Sequence, residues 1–139
     1  SIYEEIEDIF FVDNAEFEHP TEDQTIIVNR PALVQIFINL VGNALKYNHK
    51  EVPHVRTTFA EKEDYYVFTV SDNGIGIDKE KQEIIFQLFK TIGEKDRHGK
   101  KGSGIGLATV LNLVTKLGGT ISLDSEKDKG TTFTFTVKK

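Results

Sequence analysis

This sequence predicts an α+β fold: a two-layer α/β sandwich with a mixed, mostly antiparallel sheet and helices on one face. Three observations predict it. Runs with strand-like alternation and runs with helical spacing are interleaved along the chain. The last two strand-like runs, residues 120–124 and 131–137, are joined by a short Lys/Asp/Gly turn and should pair antiparallel. The length of 139 residues suits one domain around one core. No repeat, low-complexity tract or Pro/Ser-rich linker divides residues 1–139, so a single domain is expected.

Each element follows from a local pattern. Residues 2–10 place Ile2, Ile6, Ile9 and Phe10 at helical spacing. Residues 15–18 and 25–28 read as short strands around a polar turn. Arg30 and Pro31 open a helix, with Pro31 suited to the first turn, and it runs to about Tyr47. Residues 55–60 and 65–71 form two strands around a charged turn. Residues 72–78, DNGIGID, break the second strand, and a short helix follows near residues 79–86. Residues 91–103 are polar and rich in Gly and Lys, as a functional loop is. A helix over residues 104–117 stops at Gly118 and Gly119.

Composition excludes several classes of function. Lys plus Arg total 17 against 22 Asp plus Glu, a net charge of −5, where a duplex-binding surface needs a basic excess. No nucleic-acid partner is therefore expected. The chain has no cysteine, which removes disulfide scaffolds, thiolate metal sites and Cys nucleophiles. Its four histidines offer little for a zinc site and read as surface residues. No apolar run approaches the ~18 residues of a membrane span. The expectation is a cytoplasmic domain without direct membrane contact, cut from a longer chain.

Three segments carry chemistry. On the helix over residues 31–47, Leu33, Ile36, Phe37, Leu40, Val41 and Ala44 share one broad face. Gln35, Asn39, Gly42, Asn43 and Lys46 fall opposite. Asn is a poor helix former, so two asparagines a turn apart and then a lysine form either a plain solvated face or a ligand constellation. Amide oxygens can hold a hard cation such as Mg²⁺, and a lysine can meet phosphate. In DNGIGI, Gly74 and Gly76 permit close backbone approach, and Asp72 can accept from an exocyclic amine. The same residues also suit a tight turn that ends a strand. KGSGIGL, residues 101–107, opens a helix with glycines at 102, 104 and 106, either a hinge or a phosphate cradle. It is neither a dinucleotide fingerprint, since position 107 is Leu, nor a P-loop, since no Gly-Lys stands at the required offset.

In this order the segments resemble the catalytic ATP-binding domain of sensor histidine kinases, within the superfamily of gyrase-, chaperone- and mismatch-repair-type ATPases. LVQIFINLVGNALKYN resembles the N box, DNGIGI the G1 box, IFQLF the F box, GSGIGLA the G2 box and GTTFTF the closing glycine-threonine strand. The resemblance spans about residues 1–138 and implies the Bergerat-type fold. It implies ATP and Mg²⁺, with Asn43 as metal ligand, Asn39 assisting and Lys46 on phosphate. Tyr47 would pack at the adenine and Asp72 would read its amino group, in a pocket shaped by Gly74, Gly76 and Ile77. Phe86 and Phe89 would anchor a lid as well as pack in the core. Lys101, Gly102, Ser103, Gly104, Ile105 and Gly106 would wrap the phosphates, with Leu107 at the lid's hinge. Thr132 is the candidate threonine supporting the adenine site, through Asp72 or a water. Lys90, Arg97, Lys100 and Lys101 are either solvated or reach the γ-phosphate.

ATP-hydrolysing members of the superfamily carry a general-base Glu where this chain has Asn39. An amide takes no proton from water near neutral pH, which favours transfer to a partner over hydrolysis. Two positions depart from the family pattern. Asn48 replaces a usual Thr or Ser, which leaves a helix-end contact open, and Thr91 stands where many members have Arg. None of His19, His49, His54 and His98 sits in an acceptor-helix motif. The partner implied is the domain's own dimerisation and phosphoacceptor segment, missing from this chain, with a response regulator downstream and the fragment monomeric. An anti-sigma-factor-type Ser/Thr kinase and a non-catalytic nucleotide-sensing module are the alternatives. Asn39 argues against the first, and the intact Asn43, Asp72 and glycines argue against the second.

Overall fold

The computed structural model describes residues 2–10, 15–21, 26–82 and 105–139, the side chains of Ile105 and Gly106 excepted. The elements in chain order are α1 (Ile2–Phe10), β1 (Glu16–Glu18), α2 (Arg30–Lys46), β2 (His54–Glu61), β3 (Tyr65–Asp72), α3 (Lys79–Gln82), α4 (Ile105–Lys116), β4 (Ile121–Glu126) and β5 (Gly130–Lys138). The strands form one sheet in the order β1-β2-β3-β5-β4. Among the described residues, only β1 and β2 run parallel; the other three pairings are antiparallel. The expected two-layer α+β sandwich is the observed architecture.

Strand alternation decides which face meets the helices. Val55 on β2, Phe68 and Val70 on β3, and Phe133, Phe135 and Val137 on β5 are buried. They face Leu33, Ile36, Phe37, Leu40, Val41, Ala44 and Leu45 of α2, and Val110 and Val114 of α4. Phe68 and Phe135, paired in register, stack at 5.1 Å, and Phe37 meets Phe135 edge-on at 5.5 Å. The opposite sheet face carries hydroxyls. Thr58, Thr69, Thr134 and Ser122 lie in register across four strands, so that face is solvated.

Two local expectations change. Residues 26–28 form no strand: Ile27 is 93% exposed, and the segment leads into Asn29, which caps α2 by accepting from the Ala32 N–H at 3.1 Å. His19 is not a plain surface histidine. It is half-buried, stacked on Tyr3 at 5.3 Å, with Nε2 3.3 Å from Glu7, which ties α1 to the end of β1.

Candidate functional site

The polar stripe on α2 is real. Gln35, Asn39, Asn43 and Lys46 recur about once per turn opposite the buried face; Asn39 and Asn43 are half-buried and Lys46 exposed. Gln35 Nε2 donates to Asn39 Oδ1 at 3.2 Å. The helix closes with Tyr47 N donating to Asn43 O at 3.1 Å, and the half-buried Tyr47 ring packs against the core. Lys46 in the last turn complements the negative end of the helix dipole.

Asp72 ends β3 on the same sheet face as Phe68 and Val70, so its carboxyl points toward the helix layer. Burial pushes that carboxyl up from 3.8 to about 6, while the backbone N–H groups of Gly74 and Thr131 pull it down. Gly74 N donates to Asp72 Oδ1 at 2.8 Å. At neutral pH the group is a desolvated carboxylate with acceptor capacity to spare, suited to an amine donor.

The loop after Asp72 is held from both sides. On the helix side, Ile75 N donates to Tyr47 O at 3.0 Å, and Asn48 Nδ2 donates to Asn73 Oδ1 at 2.6 Å. Asn48 is fully buried and supplies the helix-end contact that its departure from the family pattern had left open. A side chain at Gly74 would put its first carbon 2.6 Å from Tyr47 O, which is why glycine stands there. On the other side the β4–β5 turn grips the loop. Asp128 N donates to Ile75 O at 2.6 Å, and Ile77 N donates to Ser125 Oγ at 2.8 Å. Gly76 has φ +73°, and a β-carbon there would lie 2.0 Å from Glu126 O. Ile77 is buried in the core.

Thr132 lies on the far face of the sheet from Asp72, and its hydroxyl bonds Ser71 Oγ at 2.9 Å. The threonine beside Asp72 is Thr131, buried, with its hydroxyl 2.7 Å from Ser125 Oγ. The signal for Thr131 was present in the sequence: it shares the alternation of Phe133, Phe135 and Val137, whereas Thr132 does not. Leu107 is half-buried against the core, and Ile105 and Gly106 open α4, which packs against α2. Phe86, Phe89, Lys90, Arg97, Lys100, Lys101, Gly102, Ser103 and Gly104 lie outside the described residues. The structure thus joins α2, with Asn39, Asn43 and Lys46 and with Tyr47 at its C-cap, to Asp72 at the end of β3 and Gly74, Gly76 and Ile77 on the loop that follows.

A family sequence model described as "Histidine kinase-, DNA gyrase B-, and HSP90-like ATPase" matches residues 28–139. The chain belongs to this ATPase family. Membership implies that this ATPase-family domain binds ATP. It is 39% identical over 115 residues to the aerobic respiration control sensor protein ArcB of Escherichia coli K12, covering 81% of this chain and 14% of that protein. It is 34% identical over 113 residues to cyanobacterial phytochrome A of Nostoc sp. PCC 7120, covering 81% of this chain and 14% of that protein. The alignment thus spans only a small part of these curated relatives. Among solved structures it resembles the nucleotide-free catalytic domain of histidine kinase ThkA, with a TM-score of 0.77 and 27% identity, covering 99% of this chain and 89% of that one. No helix among the described residues is long and apolar enough to cross a membrane.

Proposed function

We propose that this ATPase-family domain is the catalytic, Mg-ATP-binding domain of a two-component sensor histidine kinase. It would transfer the γ-phosphate to a histidine on a dimerisation and phosphoacceptor segment outside these 139 residues, for relay to a response regulator in the cytoplasm. The observation that carries the reading is the half-buried Asp72 carboxyl, raised by burial and held on a clamped glycine loop beside the asparagine-lysine end of α2.

Each residue has a physical role in this reading. Asp72 accepts from the adenine amino group, and the clamped loop keeps water from competing. Tyr47 and Ile77 supply apolar surface for the base. Lys46 meets phosphate as a point charge. Asn43, with Asn39 beside it, supplies the neutral amide oxygens that suit Mg²⁺; that ion, when bound, would neutralise charge on the phosphates. Gly102, Gly104 and Gly106 would lend backbone N–H groups to the phosphates at the start of α4. Asn39 offers no base for water, so the γ-phosphoryl waits for an imidazole nitrogen, and ADP leaves as the P–N bond forms.

The test supplies a histidine-bearing acceptor segment and γ-labelled ATP. Acid-labile, alkali-stable label on the acceptor is expected, and Asn43→Ala should remove it. Acid-stable label on serine would replace this reading with the Ser/Thr kinase. ATP binding without transfer to any acceptor would replace it with a nucleotide-sensing module.

A further inference from the structure

Asn48 and Asn73 stand 25 residues apart and meet through side chains alone. Their orientation is fixed at both ends by backbone donors. His54 N donates to Asn73 Oδ1 at 2.9 Å, so that oxygen, and not the amide nitrogen, must face β2. Asn48 must then present Nδ2 to the same oxygen, which it does at 2.6 Å. That leaves Asn48 Oδ1 for the Lys50 N–H, at 2.9 Å. Neither amide can flip without setting donor against donor. Asn48 is 0% exposed, so no water can replace the contact.

The location matters as much as the bond. Asn48 follows Tyr47 at the end of α2, and Asn73 follows Asp72. The bridge is therefore a side-chain strut between the helix with Asn43 and Lys46 and the loop with Asp72. A parallel backbone bond, Ile75 N to Tyr47 O at 3.0 Å, runs beside it. We propose that Asn48 is a positioning residue for base recognition: it sets where the Asp72 carboxyl stands relative to the phosphate-side groups. The inference rests on the nucleotide-site reading above. It adds that recognition of adenine, and not of phosphate, depends on a donor at position 48. Asn43 and Lys46 stay fixed by the core packing of α2 when the strut is lost, whereas the loop loses a support on its helix side.

The test compares binding of ATP and of inorganic tripolyphosphate, both with Mg²⁺, to the 139-residue chain by calorimetry. Asn48→Asp is nearly isosteric but turns an acceptor toward Asn73 Oδ1. It should weaken ATP at least tenfold and leave tripolyphosphate within twofold. Asn48→Thr keeps one donor at shorter reach and should show a smaller loss with the same bias toward the base. It also carries the comparison if Asn48→Asp does not fold. Equal losses for both ligands, or unchanged ATP affinity with only a lower Tm, would overturn the inference. Failure of the unaltered chain to bind ATP would instead overturn the nucleotide-site reading, and this inference with it.

Discussion

At Asp72 the folded chain releases its proton at about 6, whereas the ordinary carboxyl does so at 3.8. Between those values the folded state binds more protons than the unfolded one. The contribution of Asp72 to stability therefore falls as pH rises through this window, by up to about 3 kcal/mol, and stays low above it. Asp72→Asn removes the charge but keeps an oxygen for the Gly74 N–H. It should raise Tm at pH 7.5 while weakening ATP at least thirtyfold, because an amide nitrogen meets the adenine amine donor to donor. Thermal unfolding and calorimetry at that pH check both halves. In the unaltered chain, ATP affinity should fall about tenfold per pH unit below 6 as the carboxylate is lost. Asp72 was a candidate in the sequence through the order of the boxes, since DNGIGI alone also suits a turn that ends a strand. The Asn48–Asn73 strut was not, because nothing local joins residues 25 apart.

Two glycines show how elements constrain sequence in opposite directions. Gly42 sits inside α2, where a β-carbon would meet the Phe10 ring at 3.7 Å, an ordinary contact. Gly42→Ala should therefore stabilise the chain by about 0.5–1 kcal/mol, through the entropy that glycine adds to the unfolded state. Gly130 opens β5 with φ +106°, and a β-carbon there would lie 2.1 Å from Asp72 O. Gly130→Ala should cost at least about 2 kcal/mol and displace Asp72. Denaturant unfolding of the two variants gives the signs. The long elements were legible from their period: α2, β2, β3, α4 and β5 fall within a residue or two of the expected ranges. Residues 25–28 misled because a β-branched run reads as a strand, yet among residues 26–28 no neighbour pairs with it.

At the scale of the molecule, the proposed site draws, besides the glycines at the start of α4, on three separate stretches: residues 39–48, 72–78 and 125–131. None holds its geometry without the sheet behind it. A ligand that needs all three binds the folded chain and not the unfolded one, so Mg-ATP at a hundred times its Kd should add about 2.7 kcal/mol of stability. Calorimetric melting with and without nucleotide measures it, and at the same nucleotide concentration Asp72→Asn should cut the gain to about 1 kcal/mol or less. The sheet has a further consequence. Its central pair joins β3 to β5, and Ser71 meets Thr132 across 61 residues of chain. On a ribosome, Asp72 therefore emerges long before the strand that completes its surroundings. Until Gly130–Lys138 clears the exit tunnel, β3 keeps an unpaired edge and the pocket does not exist. Nascent chains should gain nucleotide binding late and abruptly, and a chaperone that shields the exposed edge of β3 would act in that interval.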